Sequence, residues 1–406
     1  MFDERDGVAI VGVGRSEIGR RLDRPLGLLA LDAVTAAAED AGLPLSELDG
    51  AATYPKYPVG GASQVRDGET HVSVSWMVAN LGLRKVRWWA ETQEGNVSTA
   101  IEQAAMALAH ARCDYAVVWR ALHMPKRGSY QQSAVATEPR GDFAYTAPYG
   151  LGGAPMHFAF AYMRYLKVYG ARREHMAALV LAARRGANLN PHAHFRDTPL
   201  TFDQYMNARM IADPLCLFDC DIPVDGAGAV ILARADRAAD LRQPPAFVTG
   251  LGQSGFPVGA PASSIRAVGG PGEFEEARTT ARTIGESLWK TSGLTPSEVQ
   301  GAMLYDGFAP DVYFWLEGLG FCKEGEAYEF IQDGRIEIGG QLPVNTFGGN
   351  LSEGRLHGIG HWIEGVLQVQ GRADARQIAG VENIVVATGL LNKGSGAVLS
   401  RSPRPA

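Results

Sequence analysis

The sequence predicts an α/β protein built from two related halves, each a βαβαβ unit with helices packed on an open sheet. Three observations carry that reading. The stretch "VAIVGVGRSEIG" (Val8–Gly19) returns as "AFVTGLGQSGFP" (Ala246–Pro257), an apolar strand running into a Gly-x-Gly-x-Ser turn. "GLPLSELDGAATY" (Gly42–Tyr54) returns as "GLTPSEVQGAMLY" (Gly293–Tyr305). Between the matching pieces lies a helical segment, Pro25–Ala41 in the first half and Glu273–Ser292 in the second. In the first, Leu28, Leu31, Val34 and Ala38 recur three or four apart.

Each half then continues as strand, helix, strand. In the first, "KVRWWAET" leads into a helix over Val97–Ala111 and then "DYAVVWRA"; in the second, "GAMLYDGF" leads through a longer excursion to a helix over Gly358–Gln370 and then "NIVVATGLL". This order calls for two open sheets, and halves related by pseudo-symmetry share a central helical layer. The segment from about Ala121 to Asp213 fits neither repeat and reads as an insertion. It has a turn-rich stretch (Pro125–Pro155), then helices around His157–Tyr169 and Glu174–Arg185. The halves are therefore placed at 1–240 and 241–406.

Composition narrows the function. With 46% hydrophobic and 20% charged residues in 406, a sizeable core is available. A net charge of −6 argues against a nucleic-acid or anionic-membrane surface, and the basic clusters Arg15–Arg24 and Arg84–Arg87 read as solvated loops. The cysteines Cys113, Cys216, Cys220 and Cys322 lack zinc-type spacing, and His192 and His194 have no third ligand nearby, so no metal is expected. The acidic start "MFDERDGVAIVG" does not read as a signal peptide, and no apolar run is long enough to span a membrane. A cytoplasmic protein with reduced thiols is expected. Val11–Gly19 lacks the third glycine and the acidic ribose partner of a dinucleotide fingerprint, so no nucleotide cofactor is expected.

Taken together, "VGVGRSEIG", "RRGANLNPHAHFR" (Arg184–Arg196), "DPLCLFDCDIPVDGAGAVIL" (Asp213–Leu232), "VNTFGGNLSEG" and "IEGVLQVQG" resemble the thiolase family, in particular its sterol-carrier-protein type, over nearly the whole chain. The resemblance implies the thiolase fold, two pseudo-symmetric halves in five layers, and a homodimer. Thiolases hold an acyl group on a cysteine, and each position that supports this is altered here. Glu94 or Gly95 stands where the nucleophile should be. Tyr305 replaces the Asn of the Asn-Glu-Ala-Phe loop, Arg355 replaces the His of the Gly-His-Pro-x-Gly loop, and "TGLLNKGSG" has no cysteine. Without a thiol no acyl-enzyme forms, which rules out thiolysis and Claisen condensation by that mechanism.

A site that holds a CoA thioester and stabilises its enolate still serves retro-aldol cleavage of a β-hydroxyacyl-CoA, which needs no covalent intermediate. The sequence is similar to a subgroup of this kind, steroid side-chain aldolases that lack the thiolase cysteines. In that subgroup a tyrosine of the "YDxF" loop and one of the Gly-Gly loop act as a pair, and a small OB-fold, zinc-ribbon partner, often fused to a hydratase, accompanies them. Here the first is kept as Tyr305 and the second is Arg355.

Tyr305 has two readings: a proton-transfer group, its phenol lowered by Arg355, or a strand-end tyrosine like its repeat partner Tyr54. A guanidinium stays charged, so Arg355 serves as a stabiliser of tyrosinate or of the thioester oxyanion, or as a loop-closing salt bridge, but not as a base. Asp306 is read as support for the site or a cap before Pro310, His357 as support or structure, His361 as core, and Glu94 as a carboxylate base or a solvated turn. Asn345 is expected to donate its amide to a carbonyl or water. Gly348, Gly349 and Gly358 are expected to let the backbone approach a ligand. Trp76, Trp88, Trp89, Tyr313, Phe314 and Trp315 offer a wall for a rigid apolar substrate, or core packing. No cofactor is expected beyond the CoA of the substrate. The alternatives are a catalytically silent scaffold subunit and an acyl-CoA or lipid carrier.

Overall fold

The computed structural model describes residues 7–56, 66–93, 96–124, 154–254, 271–390 and 393–403. In the first half β1 (Val8–Arg15), α1 (Leu26–Ala41), β2 (Gly50–Thr53), α2 (Val74–Leu81), β3 (Trp88–Glu91), α3 (Asn96–Ala109) and β4 (Tyr115–Leu122) come in turn. After the insertion helices α4 (Ala154–Tyr169) and α5 (Arg173–Asn188) comes β5 (Gly226–Arg234). The second half holds β6 (Ala246–Gln253), α6 (Pro271–Ser292), β7 (Gly301–Leu304), α7 (Asp311–Gly318), α8 (Ile359–Val369), β8 (Asn383–Leu390) and β9 (Lys393–Ser400).

The strands lie in the order β3-β2-β4-β5-β1-β6-β9-β8-β7. Parallel pairing at β2–β3, β2–β4 and β7–β8 gives way to antiparallel pairing toward the middle. The sequence suggests two separate sheets; the structure joins them through β1 and β6, where Ala9 faces Phe247 and Ile10 faces Ala246. Helices α3 and α8 pack on strands of both halves, α1 covers the first half and α6 the second, giving the five layers.

The repeat has a physical basis. Helix α1 ends on Gly42 at φ 68°, in the left-handed region that disfavours a Cβ, and α6 is followed by Gly293 at φ 65°. A short 3-10 turn follows each, Leu45–Glu47 and Pro296–Glu298, then a four-residue buried strand. The buried stripe of α1 takes Val34 and Ala38 from the series that periodicity suggests, but not Leu28. Leu28 is 44% exposed, while Leu29, Ala33 and Ala37 face the sheet. Close approach decides this: a Cβ on Gly12 would lie 2.4 Å from the Ala37 carbonyl oxygen, so only small residues fit between α1 and β1.

The insertion lies within the first half in sequence but packs on the second. Tyr162, Tyr165, Met176 and Val180 share one core with Ala281, Ile284, Tyr313, Phe314 and Trp315. Tyr165 donates a 2.5 Å hydrogen bond to Glu317. The triad Tyr313, Phe314 and Trp315 is therefore buried core, which corrects the substrate-wall reading for these residues. Trp76 packs against Gly27 and Gly68, while Trp89, on the edge strand β3, is 64% exposed.

Candidate active site

Tyr54 and Tyr305 each follow the last residue of a short strand, β2 and β7, and both are partly accessible. Beneath them lies a buried charged cluster drawn from both halves: Arg120 on β4, Asp221 before β5, Asp306, and Arg355, His357 and His361. The elements meet through the backbone. Arg355 N–H donates to the Ile222 carbonyl at 2.8 Å, Asp221 N–H donates to Gly307 at 3.1 Å, and Tyr305 N–H donates to Ala387 at 2.9 Å.

His357 stands between two cations. Arg355 Nη1 is 2.6 Å from its Nε2, and Arg120 Nη2 is 3.0 Å from its Nδ1. Burial, then Arg355 and Arg120, hold the imidazole well below its ordinary pKa, so it is neutral. A neutral imidazole offers one lone pair, so it can accept from only one of the two guanidiniums. The other aims an N–H at an N–H. The Arg120 guanidinium also lies 5.4 Å from the centre of the Tyr54 ring, and burial brings it down to about 10, still charged at neutral pH. Arg355 Nε is 3.6 Å from Asp221.

Tyr305 differs from expectation. Burial and Asp221 raise its hydroxyl well above the ordinary tyrosine value, and the opposing effect of Arg355 does not offset them. The resting group is a phenol, a hydrogen-bond donor and acid, not the tyrosinate that Arg355 was expected to produce.

Asp306 accepts from the Asn350 and Leu351 backbone at 2.8 and 3.5 Å and lies 3.0 Å from His361 Nε2. It thus caps the turn Gly349–Ser352 rather than the segment before Pro310. Gly349, at φ 60°, makes this possible, since a Cβ there would fall 1.9 Å from the Asp306 carboxylate. Gly348, at φ 104°, faces Ala187 of α5, and Gly358, at φ 94°, faces Thr388. The positive φ values agree with the sequence reading, but what approaches these glycines is protein. Asn345 is likewise committed: its amide donates to the Leu304 carbonyl at 2.7 Å and accepts from the Leu304 N–H at 2.8 Å, clipping β7 in place. The amide expected to face a substrate instead holds the strand that carries Tyr305. Glu94 lies outside the described residues.

Sequence reasoning missed Arg120, Asp221 and the role of His357. Arg120 left one signal, a charge inside the apolar strand "YAVVWRAL". Asp221 left none of its own in "DCDIPVDGAG".

Cys220 directly precedes Asp221, but its thiol is turned to the Cys216 carbonyl at 3.5 Å. Cys113 is packed under Gly50, where burial and Asp49 push it up to about 12, and burial and Asp219 push Cys216 up to about 11. Cys220 and Cys322 are likewise raised, chiefly by burial. No group of three or more metal-ligating side chains is gathered among the described residues. Nor is any helix among them long and apolar enough to cross a membrane. A cleft of about 350 Å³ beside Arg184, Phe195, Leu200, Leu217 and Phe218 shares no lining residue with the cluster.

Residues 274–401 match the family model described as thiolase C-terminal domain-like. The chain is 34% identical, over 96% of its length and 98% of the relative's, to 17-hydroxy-3-oxo-4-pregnene-20-carboxyl-CoA lyase of Mycobacterium tuberculosis. The chain belongs to the thiolase superfamily, in its steroid side-chain aldolase branch. It is equally 34% identical to the steroid side-chain-cleaving aldolase of Thermomonospora curvata, over 96% and 97% of the two chains. A solved structure described as Ltp2-ChsH2(DUF35) aldolase matches with a TM-score of 0.86 and 32% identity over the whole of both chains. The thiolase fold expected from the sequence is thus the fold observed.

Proposed function

We propose that this protein is a carbon–carbon lyase that cleaves a β-hydroxyacyl-CoA, a steroid side-chain thioester, into a ketone or aldehyde and a short acyl-CoA. One observation carries the reading. Two buried guanidiniums, Arg120 and Arg355, converge on a neutral imidazole, with the Asp221 carboxylate 3.6 Å from Arg355 Nε. Buried charge of one sign without full compensation is costly, and a ligand oxygen that gains negative charge relieves it. The thioester enolate released by retro-aldol cleavage is such an oxygen. The four thiols, each raised by burial, offer no nucleophile for an acyl-enzyme.

In this scheme the substrate's β-hydroxyl loses its proton and the Cα–Cβ bond breaks. The electrons pass to the thioester enolate, whose oxygen faces the guanidinium that His357 cannot satisfy. Tyr305, placed as a phenol at the partly open end of the cluster, hydrogen-bonds the β-oxygen and takes part in proton transfer. No cofactor is required besides the CoA of the substrate, and a CoA thioester suits a cytoplasmic enzyme. A homodimer is supported by the edge strand β3 with its exposed Trp89. Likeness to the Ltp2-ChsH2(DUF35) aldolase supports a small DUF35-type partner with an OB-fold and zinc ribbon, of the kind fused to a hydratase.

The test is to incubate the purified protein, with and without such a partner, with a steroid side-chain β-hydroxyacyl-CoA and follow products by mass spectrometry. Release of a short acyl-CoA and a ketosteroid is expected. Arg355→Ala is expected to lower kcat by about 10²–10³-fold while thioester binding persists. Tight binding of intact substrate by the wild type would replace this reading with the carrier.

A further inference from the structure

The cleft beside Arg184 has the parts of a second binding site. It encloses about 350 Å³, the lower end of the size that small-molecule sites take. Helix α5 supplies Arg184, and the loop 195–200 and the turn Leu217–Asp219 supply most of the wall. That wall is apolar, made by Phe195, Pro199, Leu200, Leu217 and Phe218, and no acidic side chain lines it.

Arg184 is 2% exposed, and its place is set from several directions. Its guanidinium carbon lies 3.9 Å from the centre of the Phe195 ring and 5.6 Å from that of Phe218. Nε donates to Ser352 Oγ at 3.2 Å, and Nη1 donates to the Thr198 carbonyl at 3.0 Å. Both acceptors are neutral, and Nη2 has no partner among the described residues. Burial lowers the group to about 10 with no acid to offset it, so it stays charged at neutral pH. A guanidinium held against aromatic rings keeps its N–H edge for a planar anion. Arg209, an exposed residue of the same lining, is a second cation without an ion-pair partner among the described residues. The Leu217 N–H donates to its carbonyl at 2.8 Å, which sets Arg209 beside the apolar wall. Gln204 uses its Oε1 to accept from the Thr201 N–H at 2.9 Å, which leaves its amide nitrogen as a donor.

We propose that this cleft binds a small amphipathic carboxylate, an aromatic or aliphatic acid whose charge meets Arg184 and Arg209 and whose body lies against Leu200, Leu217 and Phe218. The charge follows from Arg184, because a buried cation without a counter-ion is costly and a carboxylate relieves it through paired hydrogen bonds. The apolar body follows from the wall, which an inorganic anion would leave in contact with water. The volume limits the ligand to a compact acid and does not hold a whole CoA thioester. The cleft shares no lining residue with the catalytic cluster, so this is a site beyond the lyase reading. The two nevertheless adjoin, since Ser352, which accepts from Arg184, ends the turn that Asp306 caps.

Phenylbutyrate is the probe, with phenylbutanol as its uncharged counterpart and inorganic phosphate as an anion without an apolar body. Binding to the purified protein is read by isothermal titration calorimetry. Phenylbutyrate is expected to bind, with phenylbutanol and phosphate each about tenfold or more weaker. Arg184→Met and Arg209→Glu are each expected to weaken phenylbutyrate about tenfold or more, while Arg355→Ala binds it as wild type does. Absence of binding to wild type would overturn the proposal. So would phosphate or phenylbutanol binding as tightly as phenylbutyrate, which would make the cleft a plain anion site or a plain apolar one. Loss of binding in Arg355→Ala, or wild-type affinity in Arg209→Glu, would put the probe elsewhere and overturn it as well. Arg209 is exposed, so Arg209→Glu decides even if Arg184→Met does not fold. Binding is read without turnover, and the lyase assignment stands or falls separately.

Discussion

Tyr54 and Tyr305 end matching strands of a duplicated scaffold, yet their surroundings differ. Thr53 pairs with Trp119 across β2 and β4, and Leu304 pairs with Ala387 across β7 and β8. One step further along, the first half places Arg120 beside Tyr54, while the second places Thr388 beside Tyr305. Arg120 turns into the charged cluster; Thr388 instead bonds Ser98 of α3 at 2.5 Å. The duplication supplies two equivalent strand ends. The first contributes a cation, and the second contributes the loop that carries Tyr305 and Asp306. Chemistry resides where the repeat is broken.

The sharpest way to break that comparison is to remove each hydroxyl in turn. Tyr305→Phe is expected to lower kcat by about 10³-fold, because the phenol takes part in proton transfer. Tyr54→Phe is expected to cost less than about tenfold, because its ring, held under Arg120, remains. Equal losses in the two variants, read from steady-state kinetics, would mean that the strand ends act as a symmetric pair and that the asymmetry of their neighbours is incidental.

Arg120 gives the next largest effect and separates function from stability. Its guanidinium is buried, and its Nε has no partner among the described residues. Arg120→Met replaces a buried charge with an apolar side chain of similar length, so thermal stability is expected to hold or rise while kcat falls about tenfold. Loss of both would show that the cluster needs Arg120 to fold, and that the cation from the first half is structural.

These contrasts also explain what the sequence could disclose. The repeats were legible because their causes are local: left-handed glycines after the helices, short apolar strands, and turns of Pro, Ser and Glu. Tyr305 and Arg355 were visible through their places in motifs. The partnership of Arg120, Asp221 and His357 was not, since it joins segments more than a hundred residues apart and depends on side-chain direction. Asn345 and the loop glycines show the opposite error. Their residue types suited a ligand site, but tertiary packing gave the amide to Leu304 and set Ala187 and Asp306 against the glycines.

The smallest effect tests the part of the comparison in which the halves should agree. Gly42 and Gly293 hold φ 68° and 65° at equivalent points after α1 and α6. An alanine at either must adopt the left-handed region, at a cost of about 1 kcal/mol. Gly42→Ala and Gly293→Ala are therefore expected to destabilise by similar amounts in denaturant unfolding. At Gly42 the new methyl group also meets Arg242, whose Cβ lies 3.1 Å away. Neither glycine touches the charged cluster, and kcat should be unchanged in both. A kinetic defect in one alone would mean that its turn sets the position of the following tyrosine, and the division between a symmetric scaffold and asymmetric chemistry would have to be redrawn at the helix ends.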